Sequence, residues 1–135
     1  MNREELLKTW LHEEEIAHIH GWDFSHIRGK YEEGNELPWD YKEVIQCYLS
    51  PGMKLLDIDT GGGEFLLSLN HANENLAATE SYPPNVALCK DTLLPLGIDF
   101  KEANGCDARL PFGDQAFDMA INRHGEFMPR KSIVF

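Results

Sequence analysis

The sequence predicts an α/β domain: a three-layer α/β/α sandwich on a parallel sheet of strand order 3-2-1-4, preceded by N-terminal helices. Three observations lead there. Residues 54–59 (Lys-Leu-Leu-Asp-Ile-Asp) form an apolar run that enters Thr60-Gly61-Gly62-Gly63-Glu64-Phe65, a strand followed by a glycine turn that opens a helix. After it, short apolar runs alternate with helical periodicity as far as residue 122. The chain has 135 residues, 42% of them apolar and 10% aromatic, enough for one sizeable core and too little for two domains of this type.

Each element has a local reason. Residues 3–20 read as a helix whose apolar stripe (Leu6, Leu7, Trp10, Leu11, then Ile16, Ala17 and Ile19) slips around the acidic run Glu13-Glu14-Glu15; it is expected to lie against the core as a flap. Between Gly21 and Tyr41 the chain is loop-rich and aromatic, with Trp22, Phe24, Tyr31, Trp39 and Tyr41 punctuated by Gly29, Gly34 and Pro38. A helix over 40–49 ends at Ser50-Pro51-Gly52. There follow strand 54–58, helix 62–71, strand 76–80, helix 84–96, strand 98–103, a loop and strand 117–122. Pro83 and Pro84 suit a first helical turn, where a missing N–H costs little, and Gly97 supplies a stop. The chain divides into an N-terminal flap and aromatic loop, 1–50, and a partial nucleotide-binding domain, 51–135. Right-handed crossovers place the ligand crevice beside the first strand, where the glycine turn and Asn122 meet.

The turn constrains the ligand. Its glycines admit a close backbone approach, and the helix behind it presents unpaired N–H groups. Asp57 and Asp59 stand where a pyrophosphate would bring negative charge, which favours a ligand with a cationic or hydroxyl-rich end. Glu80, at the end of the second strand, lies at the spacing expected of an acid that accepts from ribose hydroxyls. The nicotinamide pattern Gly-x-Gly-x-x-Gly fails, because Leu66 stands where its third glycine belongs.

In Asp57 to Gly63, Glu80, Cys106-Asp107-Ala108 and Phe117 to Glu126, the chain resembles the class I S-adenosylmethionine-dependent methyltransferases, motif by motif and in order. The resemblance implies a Rossmann-like methyltransferase fold with S-adenosylmethionine as cofactor and S-adenosylhomocysteine as product. It implies that Asp57 and the backbone of Gly61, Gly62 and Gly63 hold the methionine end, Glu80 the ribose, Asp107 the adenine amino group and Ala108 the ring through its N–H. Asn122 and Arg123 would line the methionine side. Asp59, counted with the cofactor-binding residues, occupies the position of the family's first glycine, so the turn departs from the pattern. Methyl transfer of this kind is an in-line displacement needing alignment and a dry pocket, with a base only where the acceptor carries a proton. His124, just past the fourth strand, is the candidate catalytic base.

The family's domain continues beyond the point where this sequence ends, so the sheet is expected to be truncated, with an exposed strand-four edge and a homodimer or higher association through it, residues 133–135 serving as a swapped or added strand. A non-catalytic S-adenosylmethionine-binding module, or an inactive truncated methyltransferase, is the alternative reading.

Composition narrows the partners. A net charge of −11 and a pI of about 4.8 argue against a nucleic-acid footprint and toward a small-molecule acceptor. The absence of a membrane-length apolar run and of signal-peptide features in Met1-Asn2-Arg3-Glu4-Glu5 gives a cytoplasmic expectation. Cys47, Cys89 and Cys106 form neither a disulfide framework nor a metal motif and read as reduced packing residues. His18 and His20, two apart, point to different helix faces and cannot chelate one metal, so no metal site is expected. His26 and the aromatic residues Trp22, Tyr31 and Trp39 are candidates for a loop closing over the ligand, set against a hydrogen-bonded loop role for His26 and packing of the flap for the aromatics.

Overall fold

Four strands, β1 (Leu55–Ile58), β2 (Leu76–Glu80), β3 (Asp99–Glu102) and β4 (Met119–Asn122), form one parallel sheet in the order β3-β2-β1-β4, the order predicted from right-handed crossovers. The computed structural model describes residues 2–17, 21, 23–32, 34, 37–107 and 109–126. The register pairs Leu55 with Leu76 and Met119, and Ile58 with Asn122, so the C-terminal ends of β1, β2 and β4 reach one edge together.

Alternation along the strands sorts the core into two faces. Leu55, Leu76, Ala78, Phe100 and Ile121 pack with Ile45 of α2 (Tyr41–Tyr48), Leu66 of α3 (Glu64–Ser68), and Val86 and Cys89 of α4 (Pro83–Thr92). Leu56, Ile58 and Ala77 turn to the other face, under Ala103, Leu110 and the half-buried Phe112 and Phe117. Because both faces are covered, β1 and β2 are buried at every position and read as continuous apolar runs rather than alternating ones. Helices α2, α3 and α4 gather on the first face, and the irregular stretches 103–107 and 109–117 cover the second.

Helix ends have local causes. Asp40 caps α2 by accepting from the Glu43 N–H at 2.9 Å. The third helix is shorter than the predicted 62–71. It starts only after Gly63 (φ 86) and stops at Ser68, because Leu69 and Asn70 bond back three residues, and Asn70 then turns left-handed (φ 52). The fourth helix, predicted over 84–96, begins at Pro83 and ends at Thr92; Pro95 admits only a 3-10 turn, Leu94–Leu96, before Gly97 (φ 80).

The N-terminal helix α1 (Arg3–Ile16) has a complete capping box, Asn2 and Glu5 exchanging backbone-to-side-chain bonds of 2.9 Å. It ends before the predicted residue 20, since Ala17 is extended, and residues 18–20 lie outside the described set. Its stripe does not reach the core: no residue of α1 is buried, and Trp10 is 63% exposed. The acidic run splits the apolar positions, so no continuous seam forms. Full burial of a side chain such as Leu55 or Leu66, both 0% exposed, contributes roughly 1.5–3 kcal/mol, and α1 forgoes that term.

Other expectations also change. Tyr31 and Trp39 are exposed rather than packed, while Trp22 lies outside the described residues. Of the three cysteines only Cys89 is a packing residue; Cys47 and Cys106 are exposed. No helix among the described residues is long and apolar enough to cross a membrane, and no cluster among them has the make-up of a metal site. β4 is one of the sheet's two edge strands among these residues, β3 being the other, and 133–135 lie outside them.

Candidate ligand site at the C-terminal edge of the sheet

The site is assembled by the register. Asp57 and Asp59 at the end of β1, the Gly61–Gly63 turn, Glu80 ending β2 and Asn122 ending β4 are brought to one edge. Asp57 is 3% exposed and accepts from the Thr60 hydroxyl at 2.7 Å. Burial pushes its carboxyl up to about 7; the Asp59 and Glu80 charges add to the rise, while Thr60 and Arg123 oppose it.

Asp59 adopts φ 55, a left-handed conformation in which Asp is tolerated because its side chain can bond locally. Its carboxylate lies between two loops. A Cβ on Gly125 would run into it, and one on Gly105 would strike the Glu126 backbone carbonyl and crowd the Asp59 carboxylate, so both loops approach only because those residues are glycine. Burial pushes Asp59 up to about 6, reinforced by Glu80 and Asp107 and opposed by a backbone bond from Gly105.

Glu80 is 6% exposed, and its own chain occupies both oxygens. Oε1 accepts from the N–H groups of Ser81 at 2.8 Å and Tyr82 at 3.0 Å. Oε2 accepts from the Gly61 N–H at 2.8 Å and the Asn85 amide at 3.3 Å. The glycine turn is thus tied to the end of β2 by a carboxylate, and on its other side the buried Cys89 thiol donates to the Gly61 carbonyl at 3.1 Å. Burial and the nearby carboxylates Glu80, Glu64 and Asp57 push that thiol up to about 12, so it stays protonated and unreactive.

Two buried side-chain atoms among the described residues have no hydrogen-bond partner, Asp59 Oδ1 and Asn122 Nδ2. An acceptor and a donor are therefore left unsatisfied at the ends of the adjacent strands β1 and β4, where each orphaned group costs about 1–3 kcal/mol unless a ligand or water completes it.

Beside them Tyr41 stacks on Phe65, centroids 5.4 Å apart, and the Arg123 guanidinium lies 4.9 Å from the Phe65 centroid. Burial and the Asp57 charge raise the Tyr41 hydroxyl. His124 follows on an exposed turn, and partial burial with the Arg123 charge lowers its imidazole.

Several expected residues stand apart. Asp107 is exposed in a self-closed turn, its carboxylate accepting from the Asn104 N–H at 2.9 Å, although its charge reaches Asp59. Ala108, His18 and His20 lie outside the described residues. His26 is held by Glu13 at 3.1 Å, with Lys30 on the same carboxylate oxygen at 2.9 Å, which ties the loop to α1. Thr60, Tyr41, Phe65, Asn85, Gly105 and Gly125 were missed as site residues. Only Thr60, inside the glycine motif, had a local signal; the others arrive through long-range packing.

No family model and no curated protein matches the chain. Among solved structures it is similar to the crystal structure of the [4+2]-cyclase SpnF, with 23% identity, 77% of this chain and 39% of that chain covered, and a TM-score of 0.47. The chain thus spans 39% of the length of SpnF, and a likeness of that degree carries no argument about activity. The resemblance to class I S-adenosylmethionine-dependent methyltransferases is corrected accordingly. No family model supports membership. Asp59 supplies a physical reason for the departure. Where that family's pattern places a glycine, this turn carries a partly buried carboxylate wedged against the loops that follow β3 and β4.

Proposed function

We propose that the C-terminal edge of the sheet binds S-adenosylmethionine, and that the activity served is methyl transfer to a small-molecule acceptor. The proposal rests on the chemistry of the site rather than on family membership. Its main support is the orphaned pair, Asp59 Oδ1 and Asn122 Nδ2. One buried acceptor and one buried donor suit the ammonium and carboxylate of an amino-acid end. The carboxylates Asp57, Asp59 and Glu80 favour a cationic ligand and disfavour a pyrophosphate.

When bound, such a ligand supplies a methyl group on a sulfonium that is already an activated leaving group. The chain's own residues bind and orient. Asp59 accepts from the ammonium, Asn122 donates to the carboxylate, and Asp57 with the Gly61–Gly63 backbone shapes the methionine end. Glu80 accepts from the ribose, and Asp107 and Ala108 serve the base. Arg123, over Phe65, closes the methionine side. His124, its imidazole lowered and so neutral near pH 7, accepts a proton at a ring nitrogen where the acceptor carries one.

Calorimetric titration with S-adenosylmethionine, S-adenosylhomocysteine and NAD tests the binding. Micromolar affinity for the first two alone is expected, and heat from NAD alone, or from none of them, overturns the reading. Formation of S-adenosylhomocysteine across a panel of small acceptors tests turnover. Binding without turnover is the second reading, and the exposure of His124 favours it, because a base on an open turn does not exclude water.

A further inference from the structure

The Glu80 carboxylate has no lone pair to spare. An ionised carboxylate offers about four acceptor positions, and Glu80 fills them with Ser81, Tyr82, Gly61 and Asn85. Three of those donors are backbone N–H groups fixed by the end of β2 and the glycine turn. The fourth, the Asn85 side-chain amide at 3.3 Å, is the longest and the one free to rotate. A hydroxyl entering at Glu80 therefore displaces Asn85 first.

The other end of that amide holds the N-terminal segment. Asn85 Oδ1 accepts from the Gly21 N–H at 2.6 Å across 64 residues of sequence. Gly21, at φ 58, rests directly on the glycine turn: a Cβ there would strike the Glu64 carboxylate and crowd the Gly62 Cα. Amide nitrogen and oxygen belong to one planar group, so a turn that takes Asn85 Nδ2 off Glu80 also moves Oδ1 against its bond to Gly21.

We propose that Asn85 is a latch: a ligand bearing a vicinal diol takes its place on Glu80 and thereby releases Gly21 from the glycine turn. The inference rests on the binding reading above and adds a positioning residue that couples the site to the segment before it. In the ligand-free chain the latch competes with the ligand, so it lowers affinity and links occupancy to the N-terminal region.

The test uses the whole chain with S-adenosylhomocysteine as probe and reads two quantities: affinity by calorimetry for wild type and Asn85→Ala, and exchange of the Gly21 amide by NMR. Saturating wild type is expected to speed Gly21 exchange, and Asn85→Ala is expected to bind roughly two- to tenfold tighter, the equivalent of one long, weak hydrogen bond no longer competing. A wild type that binds with Gly21 exchange unchanged, or an Asn85→Ala that binds equally or more weakly, overturns the latch and leaves the binding reading standing. Binding to neither protein removes that reading and the latch with it. Should Asn85→Ala fail to fold, Gly21 exchange in wild type decides alone.

Discussion

The ends of β1 and β2 lie side by side, and each carries an acid, yet the two acids are used in opposite ways. Glu80 receives four hydrogen bonds from its own chain, whereas Asp59 keeps one buried oxygen with none and Asn122, on the strand beside it, keeps a buried amide nitrogen with none. Saturated acids hold a fold together; unsatisfied buried ones call for a water or a ligand to complete them. The contrast divides the edge of the ligand-free chain into a saturated half at β2 and an unsatisfied half at β1 and β4.

The largest effect is expected where the saturation is complete. Glu80→Ala strands the N–H groups of Gly61, Ser81 and Tyr82 and removes the tie between the glycine turn and β2, so a loss of about 3 kcal/mol or more is expected in urea denaturation. The substitution thus acts on stability as well as on affinity. A loss below about 1 kcal/mol would break the comparison at its structural end.

Next comes pH. Burial raises Asp57 to about 7 and Asp59 to about 6 in the folded chain, against an unfolded carboxyl near 4. Across that window the folded state binds more protons than the unfolded one, so the contribution of these groups to stability is whole below about pH 4 and is lost as pH rises toward about 7. Asp57→Asn removes the buried charge while leaving an acceptor for the Thr60 hydroxyl. It is expected to flatten most of the decline and to raise stability at pH 8 by roughly 2 kcal/mol. Denaturation midpoints of both proteins between pH 4 and 8 decide it; equal slopes would remove Asp57 as the source.

A smaller effect tests the packing around the unsatisfied acid. Gly125 has no left-handed backbone to defend, so Gly125→Ala acts through contact alone: its Cβ meets the Asp59 carboxylate, with an expected cost of about 1–3 kcal/mol. Asp59→Gly, compatible with φ 55, should recover most of that cost in the double variant. Full additivity would show that Asp59 does not fill the space between the loops.

What could be read from the sequence follows the same division. Strand order, strand bounds within two residues and the glycine turn were legible, because the apolar runs 55–58, 76–80 and 119–122 and the breaks at Pro51-Gly52, Pro83 and Gly97 encode them locally. The convergence of Asp57, Glu80 and Asn122 followed from topology. The failures lie where local pattern had no tertiary partner or the wrong one. The apolar stripe of α1 meets no core, and the spacing of Glu80 gives no sign of the bonds it already receives from Gly61 and Asn85, 19 residues before it and 5 after. Gly105 and Gly125 look like ordinary loop glycines until the Asp59 carboxylate is placed between them.

The smallest effect on stability is expected at the most informative residue. Asp59→Asn keeps a carbonyl oxygen for the Gly105 N–H and gives up a charge that burial and its acidic neighbours already disfavour. Asp59 is only partly buried, so solvent screening holds the change within about 1 kcal/mol, on the stabilising side at pH 8. Binding should respond in the opposite sense. If Asp59 Oδ1 receives an ammonium, loss of the charge weakens S-adenosylhomocysteine binding by roughly tenfold or more, the worth of a hydrogen bond to a charged group. A variant at least as stable as wild type that binds poorly would identify Asp59 as a residue kept for the ligand. One that loses stability and keeps its affinity would make it a second Glu80, and the two strand ends would no longer differ.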